Sequence, residues 1–576
     1  MKKITIILLS AFIGLLNLHA QNEYKTVERT YISTDKDVYV AGDAIWCSAY
    51  CLDLSDNSRF SKFSSIAYLE LHSAKEMVAT SKIALIKGRG AGKFLIPATL
   101  PTGNYKLIAY TAHNKNEVDY DYTAIGAKTI SVFNTLTKER VDAGVKIVDE
   151  KEYSLLSDNV GHSDNTDNLS VVLPRNIEYS KSSSIPITLK NMAEDLASVS
   201  VSVYHDDGIA SYNTGCVADF VKDISKTGKV KMQDKVIPEY EGEIVYGVIA
   251  GPDAAKSAMI ADKFAYLSVP GEESDMYVST ISEDGKVSFI TNNIYGDKEV
   301  VCEIDGLDST IRCHVELLSP FVNAVVSDIP VLNMSRDMAS RLAHRSIAMQ
   351  IQRRFVSDTL FDFLPIRDNA LFGDNESIDY ILDDYTRFPL MEEVFIEYMP
   401  QMRARKTSDK NTDIQIRMED NFKNLYFSKE SSLMMIDGVP IFDHADILKY
   451  DPLLVQCIKI YPYNYFVGKK QFGGIANFVT YKHNLPSMTF DDNVRIINFQ
   501  GASYPMAYTC QSIMGSKDYP DYRETIYWHP ILNIEGDSSI EIDCVTPAYS
   551  GNFIIVVEGI TSKGEAVYTR SSFIVK

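Results

Sequence analysis

"STDKDVYVAGDAIWCSAYCLD", Ser33–Asp53, decides how most of this chain is read. Ala41-Gly42-Asp43 is a turn signal, and beyond it Ile45, Cys47 and Ala49 fall on one face of an alternating strand. A period of two with a single apolar face describes antiparallel sheet with one side on a core. Working outward, "SSIAYLELHS" (Ser64–Ser73), "MVATSKIALIKG" (Met77–Gly88) and "NYKLIAYTAH" (Asn104–His113) repeat the pattern at sandwich spacing. The expected fold class is mainly β and multidomain: β-sandwiches, one small α/β domain and a connecting helix. A chain of 576 residues is too long for one core.

The run Asp35-Lys36-x-x-Tyr39-x-x-Gly42-Asp43, followed by "GRGAGKFLIPATLPTGNYKLIAYT" (Gly88–Thr111), resembles a macroglobulin-type domain, the β-sandwich of the α2-macroglobulins and their bacterial relatives. The resemblance implies such a sandwich over 21–140. A polar linker is expected over 141–166 and a second, weaker sandwich of this type over 167–235, ending in the alternating Ala197–Tyr204. A third strand-rich unit follows over 236–325, and a helical connector over 330–383. There Ser335 is placed to cap a helix that turns Met338, Leu342 and Met349 to one face.

Residues 384–483 differ in texture. Leu433–Ile436, Val455–Ile460 and Ile475–Tyr481 are nearly continuous apolar runs, as in strands covered on both faces, with a short helix near Asp446–Tyr450. "RFPLMEEVFIEYMPQMRAR" (Arg387–Arg405) supplies a helix halted at Pro400 and a strand leading into "TDIQIRM" (Thr412–Met418). An apolar strand into Asp437-Gly438-x-Pro440, an Ile-x-Ile strand, the pair Gly473–Gly474 and a strand ending in Thr480-Tyr481-Lys482 resemble the plug domain of TonB-dependent outer-membrane receptors. Asp437 and Gly438 suit a tight turn, and Gly473 and Gly474 a close backbone approach. Such receptors follow the plug with 22 strands, at least ~200 residues, and the segment after Lys482 is too short for them. It reads instead as a C-terminal sandwich over 484–576, including "YWHP" at Tyr527–Pro530. The whole order resembles a group of secreted proteins of Bacteroidota.

Met1–Ala20 reads as a signal peptide: Lys2 and Lys3, an apolar Ile4–Leu16, and a small-residue site before Gln21. The apolar run is shorter than the ~20 residues that span a bilayer. A formal charge of −20 disfavours nucleic acid and anionic lipid as partners. Eight cysteines (Cys47, Cys51, Cys216, Cys302, Cys313, Cys457, Cys510 and Cys544) include no CxxC pair. Cys302 and Cys313 can face each other across a hairpin with its tip at Asp305–Asp308, or remain buried thiols.

No catalytic, metal or cofactor constellation emerges. "KGRGAGKF" (Lys87–Phe94) lacks the first Gly and the final Ser/Thr of a phosphate loop and reads as a β-turn. Asp443, His444 and Asp446 have no second ligand group nearby in sequence and read as a loop before a helix. The Cys-Gly-Glu-Gln run of thioester-bearing macroglobulins is missing; Cys302 precedes Glu-Ile-Asp.

The expected function is therefore that of a non-enzymatic exported modular protein without cofactor. It would sit in the periplasm or at the outer membrane, on either face, and bind or scaffold a protein of a transport or assembly complex. Tyr461, Tyr463, Tyr465 and Phe466 are the candidate contacts. Two rivals are a non-covalent protease-binding protein of macroglobulin type, with a bait in Ser157–Asn168 or Arg403–Asn411, and a hydrolase whose site gathers distant residues.

Overall fold

Ile45, Cys47 and Ala49 do point into one core, packed with Tyr39, Leu69, Ile83 and Ile130 between two sheets. This is the first of three β-sandwiches in the computed structural model. It describes residues 26–576 except 142–143, 159–163, 175–177, 213–214, 234, 255–259, 273, 293, 308–310, 356–360, 367–375, 408–410, 420–423, 468–469 and 509–519. The proposed signal peptide and Cys510 lie outside the described residues. The fold is mainly β, and the chain divides into two units: Met1–Tyr240, Asn323–Leu364 and Pro505–Lys576 in one, Glu241–Val322 and Pro365–Tyr504 in the other. Among the described residues no helix is long and apolar enough to cross a membrane.

In the first unit, one sheet joins Glu28–Thr34, Ala44–Asp53, Arg59–Phe60 and Arg89–Leu95. The facing sheet runs Val38–Val40, Lys128–Phe133, Gly103–Tyr110, Ile66–His72 and Met77–Ala84. The Asp35-Lys36-x-x-Tyr39 run has a physical basis here. Asp35 is fully buried, and its carboxylate accepts from the Tyr39 hydroxyl (2.8 Å), the Trp46 amide (3.2 Å), Lys36 Nζ (3.2 Å) and the Thr525 hydroxyl (2.6 Å). Lys36 also reaches Asp43 at 3.3 Å, so the two ends of the motif are joined through one ammonium. Asp35→Asn would turn one of these acceptors into a donor facing other donors. A loss of about 2–3 kcal/mol is expected from urea unfolding.

The second sandwich is composite. Ser184–Asn191 lies between Leu169–Val172 and the C-terminal strand Ser539–Val545. Ala197–Asp206 lies between Thr525–Ile534 and Gly551–Thr561. Residues read as a second sandwich and as a separate C-terminal sandwich therefore close a single core, with Val199, Val201, Ile526, Phe553 and Val557 in contact. Each segment alone supplies too few strands to cover its apolar face.

Residues 141–166 also differ from a plain linker. Val145–Val148 pairs in parallel with Leu332–Ser335, and Glu150–Asp158 is a helix. Its anchor is Tyr153, buried beside Met338 and Met349, whose phenol oxygen accepts the Ala210 amide at 2.8 Å. Part of the suggested bait, residues 159–163, is outside the described residues. Ser335 accepts from the Asp337 amide at 3.3 Å, and the helix Ala339–Phe355 follows, with Met338 and Met349 in the core and Leu342 packed against it.

The second unit opens with a sandwich of Glu243–Ala250, Lys286–Thr291 and His314–Leu317 facing Asp275–Thr280, Phe264–Val269, Asp297–Ile304 and Arg495–Gln500. Cys302 sits on a strand of the four-stranded sheet, whereas Cys313 leads into a strand of the other. They do not face each other across a hairpin, and every cysteine among the described residues is a free thiol. The reason is the register: Asp297–Ile304 bonds to Phe264–Val269 and Arg495–Gln500, not to the segment that follows it.

Candidate partner-binding site

The apolar runs of 384–483 build a five-stranded mixed sheet in the order Ile378–Ile381, Val455–Val467, Lys470–Thr480, Leu433–Ile436, Val439–Pro440. Leu433–Ile436 is parallel to Lys470–Thr480, which the helix His444–Lys449 between strands makes possible. Both faces are covered. On one, Met434, Ile436, Ile458, Ile460 and Phe478 meet the helix Met391–Tyr398 and the Thr412–Glu419 strand through Phe395 and Ile414. On the other, Leu433, Met435, Phe472 and Ile475 meet Met276 and Phe442, and the Phe442 ring lies 5.0 Å from that of Tyr266 of the neighbouring sandwich, tilted by 55°. The sheet is not free-standing: it shares its second face with the sandwich of its own unit.

Asp437 (φ 47°) and Gly438 (φ 84°) form the turn between Leu433–Ile436 and Val439–Pro440. Asp437 also accepts from the Thr480 amide (2.7 Å), the Thr480 hydroxyl (2.7 Å) and the Leu485 amide (2.9 Å), tying the closing strand to the turn. A Cβ on Gly438 would lie 2.1 Å from the Ser274 Cβ, so only glycine fits this left-handed position. Gly473 and Gly474 are crowded in the same way, by Ser428 and Ile416. His444 is buried, and its Nδ1 accepts the Ile414 amide at 2.9 Å; Asp443 caps its helix through the Ala445 amide. The Asp443–His444–Asp446 group is thus spent on the fold.

The four candidate contacts separate into two pairs. Val455–Val467 and Lys470–Thr480 form a long hairpin with a register shift between Tyr461 and Asn464. Before the shift Tyr461 packs on the Leu433–Met435–Phe472–Ile475 cluster. Tyr465 returns to it, and the two rings meet edge to face at 6.4 Å. Tyr463 is 45% exposed and Phe466, near the hairpin end, 72%. An irregularity of this kind re-aims side chains that strict alternation would keep together.

The first unit holds a partly open pocket of about 270 Å³ lined by Asp35, Lys36, Lys128, Asp207, Arg345 and Glu558, among others. Two ion pairs lie in its wall: Lys128 Nζ is 3.3 Å from Glu558 Oε1, and Arg345 Nε 2.6 Å from Asp207 Oδ2. Burial raises the Asp37 carboxyl above its ordinary range, opposed by the nearby Lys128 and hydrogen bonds from Ser211 and Thr34.

No protein-family model matches the chain, and no curated protein sequence does. Among solved structures, Escherichia coli α2-macroglobulin activated by porcine elastase aligns over 95% of this chain and 44% of its own, with 8% identity and a TM-score of 0.23. A mutant Salmonella α2-macroglobulin aligns over 96% and 40%, with 7% identity and the same score. The Salmonella protein reacted with methylamine aligns over 96% and 24%, with 8% identity and a score of 0.15. The chain therefore spans less than half the length of these proteins. Scores this low describe no common arrangement, and the fold assignment rests on the strand pairings above. The chain is a multidomain, mainly β protein, and bacterial α2-macroglobulins are among its structural neighbours.

Proposed function

We propose that this chain is a non-enzymatic, exported modular protein of the bacterial outer membrane, in which macroglobulin-type sandwiches act as spacers. The plug-like α/β sheet presents a hairpin to a protein partner of a transport or assembly complex. The observation that carries this reading is the exposure of Phe466 and Tyr463 on a hairpin whose other aromatics, Tyr461 and Tyr465, brace it from behind. Large aromatics held on a rigid element suit a contact in which a few residues dominate binding.

The double substitution Tyr463→Ala, Phe466→Ala tests it. Neither side chain belongs to a core, so thermal stability should change by no more than about 0.5 kcal/mol. Capture of a partner from solubilised outer membranes, read by mass spectrometry, should fall at least about tenfold. Unchanged capture would move the contact elsewhere, and an unfolded protein would make these side chains structural. Retention of an intact protease instead would favour the protease-binding alternative.

A further inference from the structure

Three residues far apart in sequence converge in the first unit. His205 is near the end of the Ala197–Asp206 strand, His344 is on the Ala339–Phe355 helix, and Glu524 immediately precedes the Thr525–Ile534 strand. Glu524 is buried; its Oε2 lies 3.3 Å from His205 Nδ1, and its Oε1 2.8 Å from His344 Nδ1. All three potential ligand atoms fall within 4.8 Å of one another. We propose that His205, His344 and Glu524 form a Zn(II) site that ties the helix to the composite sandwich.

The backbone sets the geometry. The His205 amide donates to the Glu524 carbonyl at 2.8 Å, which holds the two residues in register before any side chain is placed. The imidazoles stand edge-on to Tyr549, with centroids at 5.1 Å from His205 and 4.6 Å from His344, and Phe553 flanks His205 at 5.4 Å. A Cβ at Gly551 would lie 2.7 Å from His205 Nε2, so this glycine leaves room for the ring. The side chains of His205 and His344 are 13% and 30% exposed, which gives an ion a path in from solvent.

The chemistry selects the ion. Two imidazole nitrogens and one carboxylate are a borderline donor set, suited to Zn(II), whereas Ca(II) and Mg(II) favour all-oxygen shells. Bonds of ~2.0–2.2 Å in a tetrahedral shell place donors somewhat over 3 Å apart, close to the His–Glu separations here. Arg345, adjacent in sequence to His344, is engaged twice by Asp207, at 2.6 and 2.9 Å. Three protein ligands leave a fourth position for water or for a donor from a partner.

The test is titration of the full, chelator-treated chain with zinc chloride by calorimetry, repeated on His344→Ala, His205→Ala and Glu524→Gln. One Zn(II) per wild-type chain is expected, with affinity lowered at least about tenfold in each variant, since even the loss of an outer-shell partner costs that much. Zn(II) should also raise the melting temperature of the wild type and leave that of His344→Ala unchanged. His344, the most exposed of the three, is the variant expected to remain folded. Should it fail to fold, Co(II) replaces Zn(II) in the wild type, and a tetrahedral visible absorption band supports the site. Absence of that band, absence of Zn(II) binding, or equal binding by wild type and folded variants overturns the proposal and leaves an internal hydrogen-bonded cluster.

Discussion

Ile458→Asp is expected to unfold the mixed α/β sheet. Ile458 is fully buried on a central strand, opposite Phe478 on one neighbour and Tyr380 on the other. Around it are Met434, Ile436, Val394 and Phe395, and none of these offers a partner for a carboxylate. The substitution removes a large aliphatic group and introduces an unpaired acid. Cavity and desolvation costs together exceed about 4 kcal/mol, a large share of the stability of a typical domain. Ile458→Val, which deletes one methylene, should cost only about 0.5–1.5 kcal/mol. Hydrogen exchange on the full chain reads the difference. In Ile458→Asp, amides of Leu433–Ile436 and Lys470–Thr480 should lose protection, while those of Gly103–Tyr110 in the other unit keep it. Full protection of the sheet in Ile458→Asp would refute the packing described.

The second large effect depends on pH. Glu303 is buried on the Asp297–Ile304 strand, on the face opposite Cys302 and Ile304, with Tyr266 as its cross-strand neighbour. Burial pushes its carboxyl up from 4.5 to about 8. A raised folded value means the native state keeps a proton that the unfolded chain releases. The contribution of Glu303 is therefore fully present below pH 4.5 and is lost as pH rises through about 8. Glu303→Gln mimics the protonated acid permanently. It should be nearly neutral at pH 4 and stabilise the second unit at pH 9 by on the order of 4 kcal/mol. Denaturant unfolding at the two pH values measures this. An equal effect at both would show that the carboxyl titrates in its ordinary range.

What the sequence discloses depends on how local its cause is. The sandwich class is readable because Ile45, Cys47 and Ala49 must share a face whatever their partners are. The two-sided burial of the α/β sheet is readable from the unbroken Leu433–Ile436 run, since both Met434 and Met435 must leave water. Strand partnership is different. Nothing near Ala197–Asp206 announces that it will lie between Thr525–Ile534 and Gly551–Thr561, because pairing is set by a competition among many alternating strands of similar character. The candidate contacts divide for a smaller reason. Tyr461, Tyr463 and Tyr465 alternate in sequence, but beyond the irregularity after Tyr461 the Tyr463 ring is exposed while Tyr461 and Tyr465 pack together, and no residue type marks it. The helix Glu150–Asp158 escapes notice because its charged first turn shows no apolar periodicity around the buried Tyr153.

The composite sandwich also dictates an order of events. Its strands come from Leu169–Asp206 and from Thr525–Val575, with the whole of the second unit threaded between them. The Asp35 carboxylate receives one of its hydrogen bonds from Thr525, 490 residues later. During synthesis the first sandwich and the inserted unit can each close on local contacts. The Ala197–Asp206 strand must wait with both edges unpaired until Thr525–Ile534 has emerged, and with one edge open until Gly551–Thr561 follows. Completion is thus a late step: a ribosome halted before Gly551 leaves a chain with an open edge. Holding factors or proteases that recognise such edges would act on exactly those unfinished molecules.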